Sequence, residues 1–395
     1  MTSEWHEVPL RELVGYISKG IAPSYAEEAS ETTIRVLNQK CNRNFRISYG
    51  DSRLHDTLKK KVPPERYVKP DDILINSTGA GTAGRIAQIE DVPSATTIDG
   101  HMILIRSNGK VTQKFLGYAL KAHQWEVLQL DEGSTGQTEL NRDRLLDEIM
   151  INYPVSFDEQ NAIVGTLESI DRKLIVNKEI NDNLQQQAFS VFDNLIANAE
   201  NNDYTVSDYA FLNPKRTLAK NQVARSIDMS QLSTSGAFPS GWEMKPFNGG
   251  MRFTNGDTLL ARITPCLENG KTAFIDFLDD GEVAFGSTEY IVLAPKNDTP
   301  PEMLYCLARY PAFVDYAVKN MNGSSGRQRV SAETVGQYRL PLFDKHSLAL
   351  FKEVVSPMFL KMRYNSLENM RLAELRDALL PKLMSGEIDV SAVQL

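Results

Sequence analysis

The sequence repeats itself over most of its 395 residues. Asp-Ile-Leu-Ile at residues 72–75 matches Asp-Thr-Leu-Leu at 257–260, and Met-Ile-Leu-Ile at 102–105 matches Tyr-Ile-Val-Leu at 290–293. The turn Gly-Ser-Thr-Gly-Gln at 133–137 matches Gly-Ser-Ser-Gly-Arg at 323–327. The offset stays between about 185 and 190 residues, as a direct duplication with small insertions requires. We therefore expect two similar domains.

Each copy begins with short β-favouring runs that Gly, Pro and Asn interrupt. Such runs predict a compact, mostly β domain with a few helices. The clearest helical patterns inside the domains lie at residues 115–130 and 303–318.

A long helical pattern closes each copy. Apolar residues recur every three or four positions from Ile163 to Leu195 and from Phe351 to Leu379, which is coiled-coil spacing over more than about four heptads. Ser156 and the glutamate three residues later predict a capping box at the start of the first helix. Pro357 predicts a kink or break in the second helix, and Pro381 predicts its end.

Asparagines interrupt both patterns at matching places: Asn177 and Asn181 in the first helix, Asn365 and Asn369 in the second. If the helices run antiparallel, Asn177 faces Asn369 and Asn181 faces Asn365. A buried Asn pair costs stability but penalises slipped registers. We predict an intramolecular antiparallel coiled coil with its register set by these four residues; two unrelated surface helices remain the alternative.

These patterns predict an α+β fold with a pseudo-twofold internal repeat, in which two mostly β domains are separated by two long antiparallel coiled-coil helices. The expected segments are a first domain at 1–157, a first helix at 158–200, a second domain at 201–344, and a second helix with the tail at 345–395.

The composition is that of a globular protein, with 42% hydrophobic and 24% charged residues. Because no run of 18 apolar residues occurs and the first ten residues carry two acids, we expect neither a transmembrane helix nor a signal peptide. Three widely spaced cysteines (Cys41, Cys266 and Cys306) without a CxxC motif favour free thiols and a cytoplasmic location.

The net charge of −8 argues against nucleic-acid binding, but the distribution of charge along the chain is compatible with it. Residues 35–69 carry ten basic and three acidic side chains, and residues 215–271 carry eight and four. Two basic islands at equivalent places in the repeat can bind phosphates. The alternative for either island alone is a solvated loop surface.

Recognisable catalytic and cofactor motifs are lacking. The GxGxxG match at residues 79–84 precedes Asp91 and Pro93 too closely for the helix that a dinucleotide site needs, and the second copy lacks its glycines. Gly270-Lys271-Thr272 resembles the end of a P-loop, but Pro265 replaces the first glycine. The five histidines form no ligand pattern, so we predict no catalytic residues and no metal site.

Taken together, the motifs resemble the DNA-specificity subunit of type I restriction–modification systems over nearly the whole chain. The residues that carry the resemblance are residues 5–13, 72–74 with Gly84, 133–137, Pro154 with 158–160, 256–262 with 269–271, and 380–387. The second copy departs from the first where Lys345-His346 replaces Glu159-Gln160, and at Pro357.

This resemblance implies a non-catalytic chain. In that family each recognition domain reads one half of a bipartite double-stranded DNA target. The helices set the unread spacer and dock modification subunits, expected to be two, which methylate adenine at N6. Restriction subunits join the same complex. S-adenosylmethionine, ATP and Mg would be bound by those partner subunits, and we expect no cofactor and no membrane contact for the chain itself.

Base reading requires Arg, Lys, Asn, Gln, Ser or Thr on strands and loops that reach a groove. The residues predicted to contact DNA in the first domain are Arg43, Arg46, Lys59, Lys60, Lys61, Asn76, Thr78 and Arg85. Those in the second are Lys215, Arg216, Lys220, Arg225, Arg262, Thr264, Lys271 and Arg327. The alternatives are a subunit of a stand-alone methyltransferase or other anti-phage complex, and a coiled-coil adaptor that binds no DNA.

Overall fold

The computed structural model describes residues 4–79, 81–132, 139–199, 203–324 and 326–393. The predicted turn at 133–137 therefore lies outside the described residues, and its counterpart at 323–327 is described except for residue 325. The chain forms two compact units, one of Met1–Asp171 with Leu375–Leu395 and one of Arg172–Glu374. Each long helix contributes residues to both units. The four segments predicted from the sequence instead place each helix outside the two domains, and those segment boundaries stay a prediction.

The first unit is built on short strands. In chain order they are β1 (Trp5–Pro9), β2 (Val14–Lys19), β3 (Tyr25–Ala26), β4 (Thr33–Leu37), β5 (Asn42–Arg43), β6 (Arg46–Ile47), β7 (Arg53–Asp56), β8 (Ile73–Asn76), β9 (Ile86–Gln88), β10 (Thr96–Ile98), β11 (Met102–Ser107), β12 (Asp131–Glu132), β13 (Glu139–Leu140) and β14 (Met150–Pro154). Its short helices are α1 (Gln113–Ala122), α2 (Gln124–Val127) and α3 (Arg142–Glu148), and the long helix α4 (Phe157–Ala197) follows.

The second unit has the same kinds of element. Its strands are β15 (Tyr204–Thr205), β16 (Ala210–Leu212), β17 (Val223–Ile227), β18 (Glu243–Pro246), β19 (Met251–Phe253), β20 (Thr258–Ala261), β21 (Thr272–Phe274), β22 (Ala284–Gly286), β23 (Tyr290–Pro295) and β24 (Arg339–Leu340). Its helices are α5 (Val206–Tyr209), α6 (Pro301–Arg309), α7 (Pro311–Lys319), α8 (Ala332–Gly336) and the long α9 (Lys345–Met384).

Sheet topology confirms the internal repeat. An antiparallel sheet of order β2-β11-β8-β9 in the first unit matches β16-β23-β20-β21 in the second. A second sheet contains one parallel pair in each unit, β4 with β10 and β17 with β22. Antiparallel pairs β1–β14 and β15–β24 join the beginning of each domain to the strand that precedes its long helix. The units differ at both edges of this sheet, because β3 is added beyond β7 in the first unit and β19 is added beyond β22 in the second.

The strands β8 and β20 run through the centre of each core and are buried along their whole length. Burial on both faces explains why three of the four residues in each strand are apolar, since an alternating pattern would place more polar side chains in the core. Around them pack the helices that the sequence predicted as single segments at 115–130 and 303–318. That prediction was wrong in one respect, because each segment is two helices. Tyr310 is extended because proline at 311 disfavours a helical conformation in the residue before it.

The long helices confirm the predicted pair, with bounds close to those expected. α9 continues through Pro357 and Pro381 to Met384, so the expected break and end were wrong. A proline removes only one helical N–H, and next to Pro357 the side chains of Val355 and Phe359 are fully buried in the core of the second unit. In the first unit, burial of Leu383 extends α9 beyond Pro381.

Side-chain amides join α4 to α9 within the second unit. The Asn177 Nδ2 donates to the Asn369 Oδ1 (2.9 Å), and the Asn365 Nδ2 donates to the Asn181 Oδ1 (2.8 Å). Two further bonds obey the same internal symmetry: Asn369 donates to the Leu174 carbonyl, and Asn181 donates to the equivalent carbonyl at position 362, each at 3.2 Å. Because the higher-numbered residue of α4 is bonded to the lower-numbered residue of α9, the helices run antiparallel.

The repeat conserves backbone positions more than side-chain chemistry. In the first unit, the Asp171 carboxylate accepts from Tyr118 (2.9 Å), Lys121 (2.9 Å) and Arg376 (3.1 Å). Burial opposes the ionisation of Asp171, but these donors outweigh it and hold the pKa of that carboxyl below its ordinary value. At the positions that match Asp171, Tyr118 and Arg376 the second unit has buried Phe, Cys and Ala, while Arg309 matches Lys121. The carboxylate and two of its three donors in one unit are therefore replaced by apolar side chains in the other.

No helix in the described ranges combines the length and apolarity needed to cross a membrane.

The amide pairs lead to a prediction about register. Replacing Asn177 and Asn369 together with Leu should broaden the distance distribution between α4 and α9, because a slipped register would then leave only Asn181 and Asn365 unpaired against apolar side chains, and not all four amides. The distance is measured by double electron–electron resonance. The spin labels are attached to cysteines that replace Lys178 and Arg371, in a protein in which Cys266 is replaced by Ser.

A matched control places the same two leucines at exposed positions of the same helices, as Glu179→Leu with Glu374→Leu. The control should leave the distribution as narrow as in the parent. An equally narrow distribution in the Asn177→Leu, Asn369→Leu protein would show that Asn177 and Asn369 do not determine the register.

Candidate nucleic-acid interface

Three chain segments meet where β8 ends in the first unit. The Ser77 N–H donates to the His101 carbonyl, and the Leu140 N–H donates to the Ser77 carbonyl, each at 2.8 Å. Thr78 forms a β-bridge with Glu139. The backbone after β8 is thus held between the turn before β11 and strand β13.

The end of β20 repeats this arrangement in the second unit. The Arg262 N–H donates to the Glu289 carbonyl, and the Val330 N–H donates to the Arg262 carbonyl, each at 3.0 Å. Ile263 forms a β-bridge with Arg329. We call these two places the strand-end edges; each consists of the residues after the central strand, the turn before the next strand, and the segment after the glycine turn.

Polar side chains of low charge occupy the strand-end edge of the first unit. The Thr78 hydroxyl lies 2.7 Å from the His101 Nδ1 and 3.4 Å from the Gln39 Oε1. Asn76 accepts from Asn42 (3.2 Å) and donates to the Gln39 carbonyl (3.2 Å). Because Asn76 has no exposed surface, the structure gives it an internal role and not the predicted base contact, whereas Thr78 is partly exposed.

Charged side chains occupy the same edge of the second unit. The Glu289 carboxylate accepts from the Arg329 Nη2 at 2.7 Å, and this hydrogen bond, with a smaller contribution from the charge of Arg262, lowers the pKa of Glu289. The Thr264 hydroxyl accepts from the Gln328 N–H (3.2 Å). Arg262, Thr264 and Lys271, all predicted to contact DNA, are brought together here, with Lys271 tied to a backbone carbonyl at 2.7 Å.

A buried carboxylate lies at the start of each central strand. Asp72 accepts from the Lys69 N–H, and Asp257 accepts from the Thr254 N–H. Each also receives a guanidinium: Asp72 pairs with Arg106 (2.7 Å) and Asp257 with Arg216 (2.6 Å). The predicted DNA contact Arg216 is therefore committed to an internal ion pair.

The other predicted residues of the first unit are exposed. Arg46 pairs with Glu90 at 2.6 Å, and the Lys60 Nζ donates to a backbone carbonyl at 2.8 Å. Looser ion pairs, each at 3.8 Å, join Arg43 and Lys59 to nearby aspartates. The exposed set is Arg43, Arg46, Lys59, Lys60, Lys61 and Arg85.

In the second unit, Lys215, Lys220 and Arg327 are exposed. Arg225 instead lies 5.1 Å from the ring centroid of Trp242 and pairs with Glu282 at 2.7 Å. Asn76 aside, whether any of the sixteen predicted residues contacts DNA stays a prediction.

Three residues of the strand-end edges were missed from the sequence: His101, Glu289 and Arg329. A signal was present, because positions 101 and 289 match in the repeat, as do 139 and 329. Their importance depends on hydrogen bonds between distant segments, which one copy alone does not show.

A dinucleotide site has no structural support at the glycine-rich loop. The residues after Gly84 form strand β9, paired antiparallel with β8, where a dinucleotide site would need a helix. Within the part of the chain that the structure describes, no group of three or more His, Cys, Asp or Glu side chains could hold a metal ion.

The sequence is similar to those of known proteins. A family model described as type I restriction modification DNA specificity domain matches residues 2–186. The chain is 30% identical over 96 residues, 24% of its length, to the type I restriction enzyme HindI specificity subunit of Haemophilus influenzae. It is 33% identical over 133 residues, 32% of its length, to the EcoAI specificity subunit of Escherichia coli.

Over residues 2–186 the chain resembles the type I restriction–modification specificity family. Its matched stretches span only 21% and 22% of the length of those two relatives. The fold also resembles the crystal structure of the type I restriction–modification S subunit from M. genitalium, with a TM-score of 0.59 at 16% identity over 97% of this chain and 99% of that one. This likeness shows a shared fold.

The buried Asp257 predicts a pH dependence of stability. Burial raises its pKa from 3.8 to about 6, although the Thr254 N–H and Arg216 oppose the shift. Since the folded state holds this proton more tightly than the unfolded state, its contribution to the free energy of unfolding is greatest below about pH 4 and is lost as the pH rises through about 6. Relative to Asp257→Asn, the protein should lose roughly 1 kcal/mol between pH 5 and 7.

The measurement is urea unfolding at both pH values, followed by the fluorescence of Trp242 after Trp5 and Trp125 are replaced by Phe. Asp280→Asn, at an exposed carboxyl of the same unit, serves as the control and should track the parent. A difference between parent and Asp257→Asn that stays constant with pH would contradict the raised pKa.

Proposed function

We propose that this chain is the DNA-recognition subunit of a type I restriction–modification complex, and that each unit reads one half of a bipartite target. The observation that carries the proposal is the repeated strand-end edge, which has one backbone arrangement but different side chains in the two units. A duplicated scaffold with divergent hydrogen-bonding groups suits the reading of two different base sequences. Exposed lysines and arginines beside each edge can bind phosphates.

The helix pair sets the length of the unread spacer in this proposal. α4 has 41 residues and α9 has 40, so each is about 60 Å long at about 1.5 Å per residue. That length corresponds to between one and two turns of B-form DNA at roughly 34 Å per turn. The hydrogen-bonded amides would keep the length constant by preventing the helices from sliding.

The outer faces of the helices dock the modification subunits. Exposed apolar side chains support this role, because contiguous exposed apolar surface is typical of protein interfaces. They are Val176 and Ile180 on α4, and Leu350, Val354, Leu360, Tyr364 and Leu375 on α9. The internal repeat favours two modification subunits, one for each half of the chain.

Catalysis belongs to the partners. The modification subunits would bind S-adenosylmethionine and methylate adenine at N6, and restriction subunits would use ATP and Mg for cleavage. The chain contributes binding and geometry only. A methyltransferase complex without restriction subunits would need the same contribution.

Mapping of methylated adenines tests the proposal. Cells that express the chain with the modification subunit encoded beside it should carry N6-methyladenine in one split sequence motif, and cells lacking the chain should lose that motif alone. A reconstituted complex should also bind a duplex with the motif in preference to one with a scrambled motif. An unchanged methylation pattern together with no preference in binding would overturn the proposal, and binding of partner subunits without DNA would favour the adaptor.

The exposed lysines after β7 provide a more local prediction. Changing Lys59, Lys60 and Lys61 together to Ala should weaken binding to target and non-target duplexes alike, because these flexible ammonium groups contact phosphates without reading bases. The slope of log affinity against log salt should fall by about 0.9 for each phosphate that the variant no longer neutralises. Both quantities are measured by fluorescence anisotropy of the reconstituted complex over a salt series.

A control with equal charge removes Lys110, Lys319 and Lys345, which are exposed elsewhere in the chain, and should leave the slope unchanged. Loss of binding to one half-site only would contradict a phosphate role for the three lysines.

A further inference from the structure

Arg329 is the most firmly positioned cation of the strand-end edge in the second unit. Its backbone N–H donates to the Asn322 carbonyl and its carbonyl accepts from the Asn322 N–H, each at 2.9 Å. Its Nε and Nη2 donate to the Glu289 carboxylate at 2.9 and 2.7 Å, and its Nη1 donates to the Arg327 carbonyl at 3.1 Å. Both the backbone and the plane of the guanidinium are therefore fixed before any ligand binds.

One edge of that guanidinium remains available. Of its five N–H groups, the Nε–H, one on Nη2 and one on Nη1 have acceptors. Nη1 and Nη2 form the end of the plane, each carries a second N–H, and no acceptor for these two N–H groups occurs in the described residues. The Arg329 side chain is 38% exposed, so an acceptor pair from solution can reach this end.

Two parallel donors match either the O6 and N7 of guanine or two oxygens of a phosphate. The surroundings favour guanine. Glu289 neutralises most of the charge of Arg329, which weakens attraction to a phosphate but leaves the directional hydrogen bonds intact. A phosphate contact gains chiefly from charge, whereas base reading gains from a fixed donor geometry.

The first unit offers no such group at the matching place. Glu139 stands where the second unit has Arg329, and it is paired with Lys19; His101 stands where the second unit has Glu289. The same backbone position thus presents a carboxylate in one unit and an end-on guanidinium in the other. The two half-sites should differ in sequence for this reason.

We propose that Arg329 reads a guanine in the half-site recognised by the second unit, through its Nη1 and Nη2, and that Glu289 is the residue that positions it. This inference rests on the proposed function, since it takes the strand-end edge as the surface that meets DNA. It deepens that function by naming a base and a side chain.

The test uses the complex reconstituted with its modification subunit and duplexes containing the mapped motif. Each guanine of the motif is replaced in turn by 7-deazaguanine, which lacks the N7 acceptor. At one position of the second half-site this replacement should weaken binding by the parent about 10-fold, and it should not weaken further the binding by Arg329→Ala. Arg329→Ala itself should weaken binding to the natural motif by about 10- to 100-fold, the range expected when a bidentate pair of hydrogen bonds to a base is removed.

Two variants separate geometry from charge. Arg329→Lys keeps the charge but cannot form the end-on pair, so it should lose discrimination at the same base pair as Arg329→Ala. Glu289→Gln keeps the size but not the carboxylate, and should lose part of that discrimination. The control Arg339→Ala removes an exposed arginine of the same unit on β24 and should retain the parent motif.

Methylation mapping of the same variants shows whether the complex is still assembled, because the half-site of the first unit should stay unchanged. Equal weakening of all sequences by Arg329→Ala, with a lower salt slope, would overturn the inference in favour of a phosphate contact. A parent complex that prefers its motif but is insensitive to every 7-deazaguanine would overturn the inference and leave the proposed function standing. A parent complex with no preference at all would remove the proposed function itself.

Discussion

Antiparallel pairing of α4 and α9 is the constraint on which the rest of this architecture depends, and side-chain amides are hydrogen-bonded across it. Apolar seams tolerate sliding because one Leu packs nearly as well as another. An amide does not, since an unpaired buried amide loses hydrogen bonds worth about 1–3 kcal/mol. Asn177 has 2% of its surface exposed and Asn365 has 1%, so this penalty applies to every slipped register.

The two copies share a backbone arrangement but differ in their side chains. At the strand-end edges the same carbonyls and N–H groups are paired in both units, yet the exposed chemistry changes from Thr78 and His101 to Glu289 and Arg329. The layer around Asp171 is ionic where its counterpart around Phe359 is aromatic. Such divergence suits the proposed recognition of two different half-sites, because a stable backbone frame can carry different hydrogen-bonding groups.

The sequence could predict what depends on periodicity, and little of what depends on tertiary partners. Spacing of apolar residues predicted both long helices and the facing asparagines, since a coiled coil is a local pattern repeated. The same reasoning failed at Pro357, where burial of neighbouring side chains outweighs one missing N–H. It also did not predict the ion pair of Arg216, because a basic residue in a basic stretch does not reveal a buried carboxylate 41 residues away.

The buried acids show how such partners arise. Asp72 and Asp257 occupy matching positions and close matching turns by accepting from the N–H three residues before them. The arginines that neutralise them come from unrelated places, Arg106 from β11 and Arg216 from the segment after β16. A carboxylate required by a turn must be neutralised once a core forms above it, and any arginine that reaches it can do so. The turn is therefore repeated in the sequence, while its partner is visible only in the structure.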